Sequence, residues 1–105
     1  MDKRMKKQDF VKEIRQHLKS LGVRQGERME INETVSRQRV TMGEKTYNKE
    51  IRVKSVTSTD VFLEWYTNGE REDYSGEYPY NNVNVDYMVA HNIARILLQR
   101  IKATA

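Results

Sequence analysis

A chain of 105 residues has room for one hydrophobic core, so it reads as a single small domain. Its 19 Lys and Arg against 15 Asp and Glu leave a formal charge of +4, and 37% apolar residues suit a soluble protein with a modest core. The absence of cysteine excludes disulfides, thiolate nucleophiles and cysteine-ligated zinc, and no apolar run approaches the roughly 20 residues of a membrane span or the core of a secretory signal, so a cytoplasmic protein with no membrane partner is expected.

Residues 1–8 form a basic N-terminus, expected to be flexible, ahead of a single α+β domain of residues 9–105. The first periodic segment runs from Asp9 to Leu21, where Phe10, Ile14, Leu18 and Leu21 recur at helical spacing. Asp9 is the expected N-cap and Gly22 the expected left-handed residue after the helix. At about 100° per residue, Lys12, Arg15 and Lys19 fall together on the side away from the apolar stripe. They form a basic stripe.

From Arg28 to Ser75 the period changes to two, as a strand's alternating side chains require. Met29 and Ile31 alternate with polar residues, then Val40 and Met42, with a turn expected at Gly43-Glu44-Lys45-Thr46. Further strands follow through Ile51 and Val53 and through Val61, Leu63 and Trp65. Alternation places Arg37 with Arg39 on one side of their strand, and Arg52 with Lys54 on one side of the next. If the Gly43 turn pairs residue 42 with 47, Arg37 faces Arg52, an arrangement that needs an anion between the two. Phe62 and Tyr66 would bring aromatic rings to the same face. Asn68-Gly69 favours a type I′ hairpin, with Tyr66 opposite Arg71, Leu63 opposite Tyr74 and Glu64 opposite Asp73.

Residues 60–90 hold one basic side chain against seven acidic ones, together with seven of the nine aromatics. Tyr74, Tyr78, Tyr80 and Tyr87 in this stretch could dock a protein partner, since tyrosine is enriched at interfaces, or could instead cap one end of the core. On the docking reading, exchange of Tyr78 and Tyr80 for Ser should spare folding. A last helix is predicted from Asp86, its N-cap, to Lys102, with Val89, Ile93, Ile96, Leu97 and Ile101 on a wide apolar face. Arg100 lies inside that face by angle, so its guanidinium should snorkel outward or the last turn fray. The expected fold is α+β: an N-terminal helix, a four- or five-stranded antiparallel sheet that could curl toward a small barrel, and a C-terminal helix packed on the sheet.

Most catalytic and metal-binding patterns fail on inspection. Gly43-Glu44-Lys45-Thr46 lacks the preceding glycine and the spacing of a phosphate-binding loop. Asn82, Asn84 and Asp86 match the first ligands of a calcium loop, but Tyr87 and Ile93 stand where Gly and a bidentate Glu are needed. Two histidines, His17 and His91, are too few for a histidine metal site within one chain. His91 with a carboxylate from Glu70–Glu77 would be the best acid–base pair for a hydrolase, but no recognisable constellation forms. The element order resembles that of the double-stranded RNA-binding domain; that family grips phosphate with a Gly-rich, Lys-Lys-containing turn, and Tyr80-Asn81-Asn82-Val83-Asn84-Val85 at the corresponding place carries no lysine. No family is assigned.

Two functions of different class follow. The first is a non-enzymatic nucleic-acid-binding module without cofactor or metal, contacting DNA or RNA phosphates through Lys12, Arg15 and Lys19 or through Arg37, Arg39, Arg52 and Lys54, with Phe62 or Tyr66 stacking on bases. The second is a protein-interaction module, such as a small regulator or inhibitor of a phage or mobile element, acting through the tyrosines or by self-association.

Overall fold

The computed structural model describes residues 5–104, so residues 1–4 of the basic N-terminus lie outside the described residues. In chain order the elements are α1 (Lys7–Ser20), β1 (Met29–Met42), β2 (Lys45–Val56), β3 (Asp60–Thr67), β4 (Glu70–Arg71), β5 (Gly76–Pro79) and α2 (Tyr87–Thr104). The class is α+β, as expected. The sheet is antiparallel and does not close into a barrel: its order is β1-β2-β3, after which β4 and β5 pair with successive parts of the far edge of β3.

α1 starts two residues ahead of expectation, and Asp9 sits in its first turn; Lys6 is the N-cap and makes no side-chain cap bond. Its other end is as the sequence predicted. Gly22 has φ +80, its amide donates to Lys19 O (3.0 Å), and the Val23 amide donates back to Leu18 O (2.9 Å), which is the pair of bonds of a Schellman motif. Asp86 caps α2 as expected, with its Oδ1 accepting from the Val89 amide at 3.0 Å. Phe10, Ile14 and Leu18 of α1 and Val89, Ile93, Ile96 and Leu97 of α2 join Val53, Val56, Val61 and Leu63 in one core. The helices therefore cover one face of the sheet and leave the other to solvent.

β1 carries two bulges, where its register against β2 shifts between Glu30 and Glu33 and again between Thr34 and Ser36. Asn32, at φ +53, occupies the first. Extra residues in a strand leave carbonyls without a ladder partner, and α2 supplies the donors. Arg100 donates to Glu30 O (2.7 Å) and Ile31 O (2.8 Å) and pairs with Glu33, while Asn92 donates to Val35 O at 2.7 Å. Arg100 thus neither snorkels into solvent nor frays the helix; it ties the end of α2 to the edge strand.

The far side of β3 also departs from expectation. Asn68-Gly69 forms the two-residue turn with positive φ at both positions, and Tyr66 does pair with Arg71. The ladder then stops: the Glu72 amide bonds Trp65 O (2.7 Å), the chain turns out of the sheet, and β5 returns with Leu63 opposite Gly76 instead of Tyr74. The excursion removes the unfavourable Glu64–Asp73 pairing, and Glu64 instead accepts from Arg71 Nε at 3.1 Å.

Candidate nucleic-acid interface

Strand alternation decides which side chains share the solvent-facing sheet surface. Ile51–Trp65 and Val53–Leu63 pair on the core side, so Glu50–Tyr66 and Arg52–Glu64 pair on the outer side. Counting back across β1, Arg37 pairs with Glu50 and Arg39 with Asn48, which puts both arginines on that outer side too. Lys54 is the extra residue at the register shift between Val53 and Ser55 and reaches the same surface. The six sheet residues predicted as a phosphate-and-base face, Arg37, Arg39, Arg52, Lys54, Phe62 and Tyr66, thus come together on one surface.

The register within that surface is a correction. The loop is the two residues Gly43-Glu44, pairing Met42 with Lys45 rather than with residue 47, and Gly43 has the positive φ (+64) that its first loop position demands. Arg37 therefore faces Glu50, not Arg52. The anion that an Arg–Arg pair required is supplied by the protein: Glu50 Oε1 lies 3.1 Å from Arg52 Nε and 3.8 Å from Arg37 Nε. It also accepts from the Thr34 hydroxyl at 2.6 Å. The Thr34 bond first, and the Arg52 bond next, hold the Glu50 carboxyl below the ordinary carboxylate range, and Glu50 in turn raises the Arg52 guanidinium.

The aromatic rings are not bare platforms. The Arg52 guanidinium lies over Tyr66, 4.8 Å from the ring centroid, and the Lys54 ammonium lies 5.2 Å from that of Phe62. Both rings are half-buried. Stacking by a base would take place on the exposed side of the guanidinium or would displace it. Arg71, bonded to Glu64, joins the same surface, and Arg37, Gln38, Arg39, Lys49 and Arg52 border a shallow depression of about 420 Å³ there. The Asn68-Gly69 turn already placed Arg71 beside Tyr66; the membership of Glu50 and Thr34 depended on a register that the sequence left open.

The helical basic stripe lies elsewhere. Lys12, Arg15 and Lys19 are exposed on α1, and Arg15 Nε donates to Ser58 O at 2.9 Å, in the β2–β3 turn. Because α1 packs on the core side, this stripe and the outer sheet face do not form one continuous surface.

The four tyrosines separate. Tyr80 is a core residue, 3% exposed, with its hydroxyl donating to Thr57 O at 2.7 Å, and burial pushes its ionisation upward. It cannot present itself to a partner, and its exchange for Ser would test folding rather than docking. Tyr78 is half-buried, edge-on to Trp65, with its hydroxyl bonded to Tyr74 O. Tyr74 is exposed beside Trp65, and Tyr87 is half-buried in the first turn of α2. The reading in which these residues cap one end of the core accounts for Tyr78 and Tyr80.

His91 stacks edge-on against Phe10 at 4.8 Å, in a small pocket lined by Phe10, Tyr87, Met88 and His91, without a carboxylate in that lining. Among the described residues no group of three or more His, Cys, Asp or Glu side chains could hold a metal ion, and no helix is long and apolar enough to cross a membrane. Comparison of the chain with protein-family models, curated proteins and solved structures found no match.

Proposed function

We propose that this protein is a small, non-enzymatic, cytoplasmic nucleic-acid-binding module whose outer sheet face contacts backbone phosphates. The observation that supports this is the convergence of Arg37, Arg39, Arg52 and Lys54 with Tyr66 and Phe62 on the single sheet face that neither helix covers. Arginine is the side chain best matched to phosphate, through its fork of donors, and a guanidinium already stacked on a ring is held in place for that contact. Glu50 neutralises part of the surface but also fixes Arg37 and Arg52 toward each other. The protein-interaction reading is weaker, because Tyr80 and Tyr78 are committed to packing and, of the four tyrosines, Tyr74 alone is exposed.

The test is fluorescence anisotropy of labelled nucleic acids across salt from about 50 to 200 mM, over which a phosphate-neutralising protein loses affinity steeply. Binding that weakens with a log–log slope of several units, and that combined Arg37→Glu and Arg39→Glu exchange weakens at least tenfold with a flatter slope, is the expected result. Absence of binding at the lowest salt, or binding indifferent to both exchanges, would remove the sheet face as the site.

A further inference from the structure

The β1–β2 hairpin is longer than the sheet that supports it. The last β2–β3 pair is Lys49 with Thr67, and the next residue, Asn48, is held by Asn68, which donates its amide to Asn48 O (2.8 Å) and accepts from Asn48 N through Oδ1 (2.9 Å). Beyond it the pairs Val40–Tyr47, Thr41–Thr46 and Met42–Lys45 continue the β1–β2 ladder with no third strand beside them among the described residues. At about 3.4 Å per residue, these pairs and their turn carry a two-stranded ribbon roughly 13 Å past the third strand. The molecule is correspondingly long, with extents of 48 × 36 × 26 Å.

The ribbon's composition is unlike that of a hairpin folded back on a core. Residues 38–49 carry Arg39, Lys45 and Lys49 against the single acid Glu44. One side presents Arg39, Thr41, Thr46 and Asn48, with the two threonine hydroxyls 3.3 Å apart; the other presents Val40, Met42, Lys45 and Tyr47. Met42 is 66% exposed. The side bearing Arg39 is continuous with the face that holds Arg37 and Arg52.

We infer that this ribbon enters the major groove of B-form duplex DNA while Arg37, Arg52 and Lys54 at its base rest on flanking phosphates; the inference rests on the phosphate-binding reading above. Shape selects the ligand. Two strands about 4.8 Å apart with their side chains fill roughly the 12 Å width of that groove, and a projection of about 13 Å exceeds its depth of about 8.5 Å. The B-form minor groove, about 6 Å wide, is too narrow, and the A-form major groove of duplex RNA is too deep and narrow for side chains to read. A single strand has no groove for a ribbon to fill. Near the tip, Lys45 and the hydroxyls of Thr41 and Thr46 are residue types that hydrogen-bond base edges there, and Glu44 can accept from cytosine, while Arg39, about 13 Å back at the level of the third strand, meets phosphate at the mouth of the groove.

The test compares DNA duplex, RNA duplex and single-stranded DNA of one sequence, by anisotropy, with the native protein and two variants. In the first variant Val40–Tyr47 is replaced by Asn-Gly, so that Arg39 and Asn48 flank a two-residue turn; the second is Lys45→Glu, which leaves the backbone intact should the first fail to fold. The native protein is expected to prefer duplex DNA over duplex RNA by about tenfold or more, and each variant to lose about tenfold on duplex DNA while keeping weaker, salt-sensitive binding to all three ligands. Native preference for single strands or RNA, or a Lys45→Glu variant that binds duplex DNA as the native protein does, overturns the ribbon's role and leaves the phosphate-binding sheet face standing. Failure of the native protein to bind any of the three at low salt overturns both.

Discussion

Glu50 governs how much of the basic face is free, because its one carboxylate serves Thr34, Arg52 and Arg37 together. Glu50→Gln should therefore tighten nucleic-acid binding several-fold and steepen its salt dependence by about one unit, as one more positive charge becomes available to phosphate. The same exchange should cost stability near neutral pH. A carboxyl whose folded pKa is lowered contributes stability that is present above its unfolded pKa and lost as pH falls through the lower folded value. Urea midpoints of the native protein and Glu50→Gln should accordingly differ at pH 7 and converge as the solution is acidified. Tyr80 works with the opposite sign. Its ionisation is raised by burial from an ordinary value of 10.0, so the unfolded chain releases this proton first and stability falls as pH rises above about 10. Tyr80→Phe should remove that alkaline loss, at a cost of about 1 kcal/mol at neutral pH for the missing bond to Thr57 O.

At the scale of elements, helix ends and tight turns depend on one or two residues each, while sheet register depends on distant partners. Gly22 illustrates the first. Its φ of +80 is open to glycine and strained for a side chain, so Gly22→Ala should lower stability by about 1 kcal/mol with no effect on nucleic-acid binding, since it ends α1 on the other side of the molecule. Both helices, the Asp86 cap, the Gly22 terminus and the Asn68-Gly69 turn were legible because each is encoded in adjacent residues. The bulges in β1 were not: nothing local in Ile31-Asn32-Glu33-Thr34-Val35 says that the strand gains residues there, because the compensation comes from Arg100 and Asn92 on α2. The site was legible as a set of residues on one face, through period-two alternation. Its internal pairing was not, since a shift in the Gly43 turn exchanges Arg52 for Glu50 as the neighbour of Arg37. Arg100→Ala tests this compensation. It leaves Glu30 O and Ile31 O without their donor and should cost about 1–2 kcal/mol in urea unfolding, more than an ordinary surface arginine.

For the whole molecule, the net charge of +4 says little, because it is the residue of a strongly basic N-terminal part and an acidic stretch over residues 60–90. What matters is where the fold sends each part. The acidic stretch supplies Glu64 and Glu77, which neutralise Arg71 and Arg28, and of its tyrosines Tyr74 and Tyr78 pack around Trp65 while Tyr80 enters the core. The basic residues reach two separate surfaces, the α1 stripe and the outer sheet face, and a ligand as stiff as a duplex can lie on only one of them at a time. Duplex DNA held by the sheet face should therefore show a salt slope set by Arg37, Arg39, Arg52 and Lys54 less the one charge that Glu50 neutralises, about −3 at −0.9 per neutralised phosphate. Exchanging Lys12 and Lys19 for Glu reverses the stripe without touching that face, so the slope should stay within error of the native value and affinity should drop only by the weak long-range term that salt screens. Exchanging Arg37 and Arg39 for Glu should lower the slope by about two units. If instead the α1 exchange flattens the slope and the sheet exchange leaves it alone, the duplex lies along α1, and the sheet face has been assigned the wrong role.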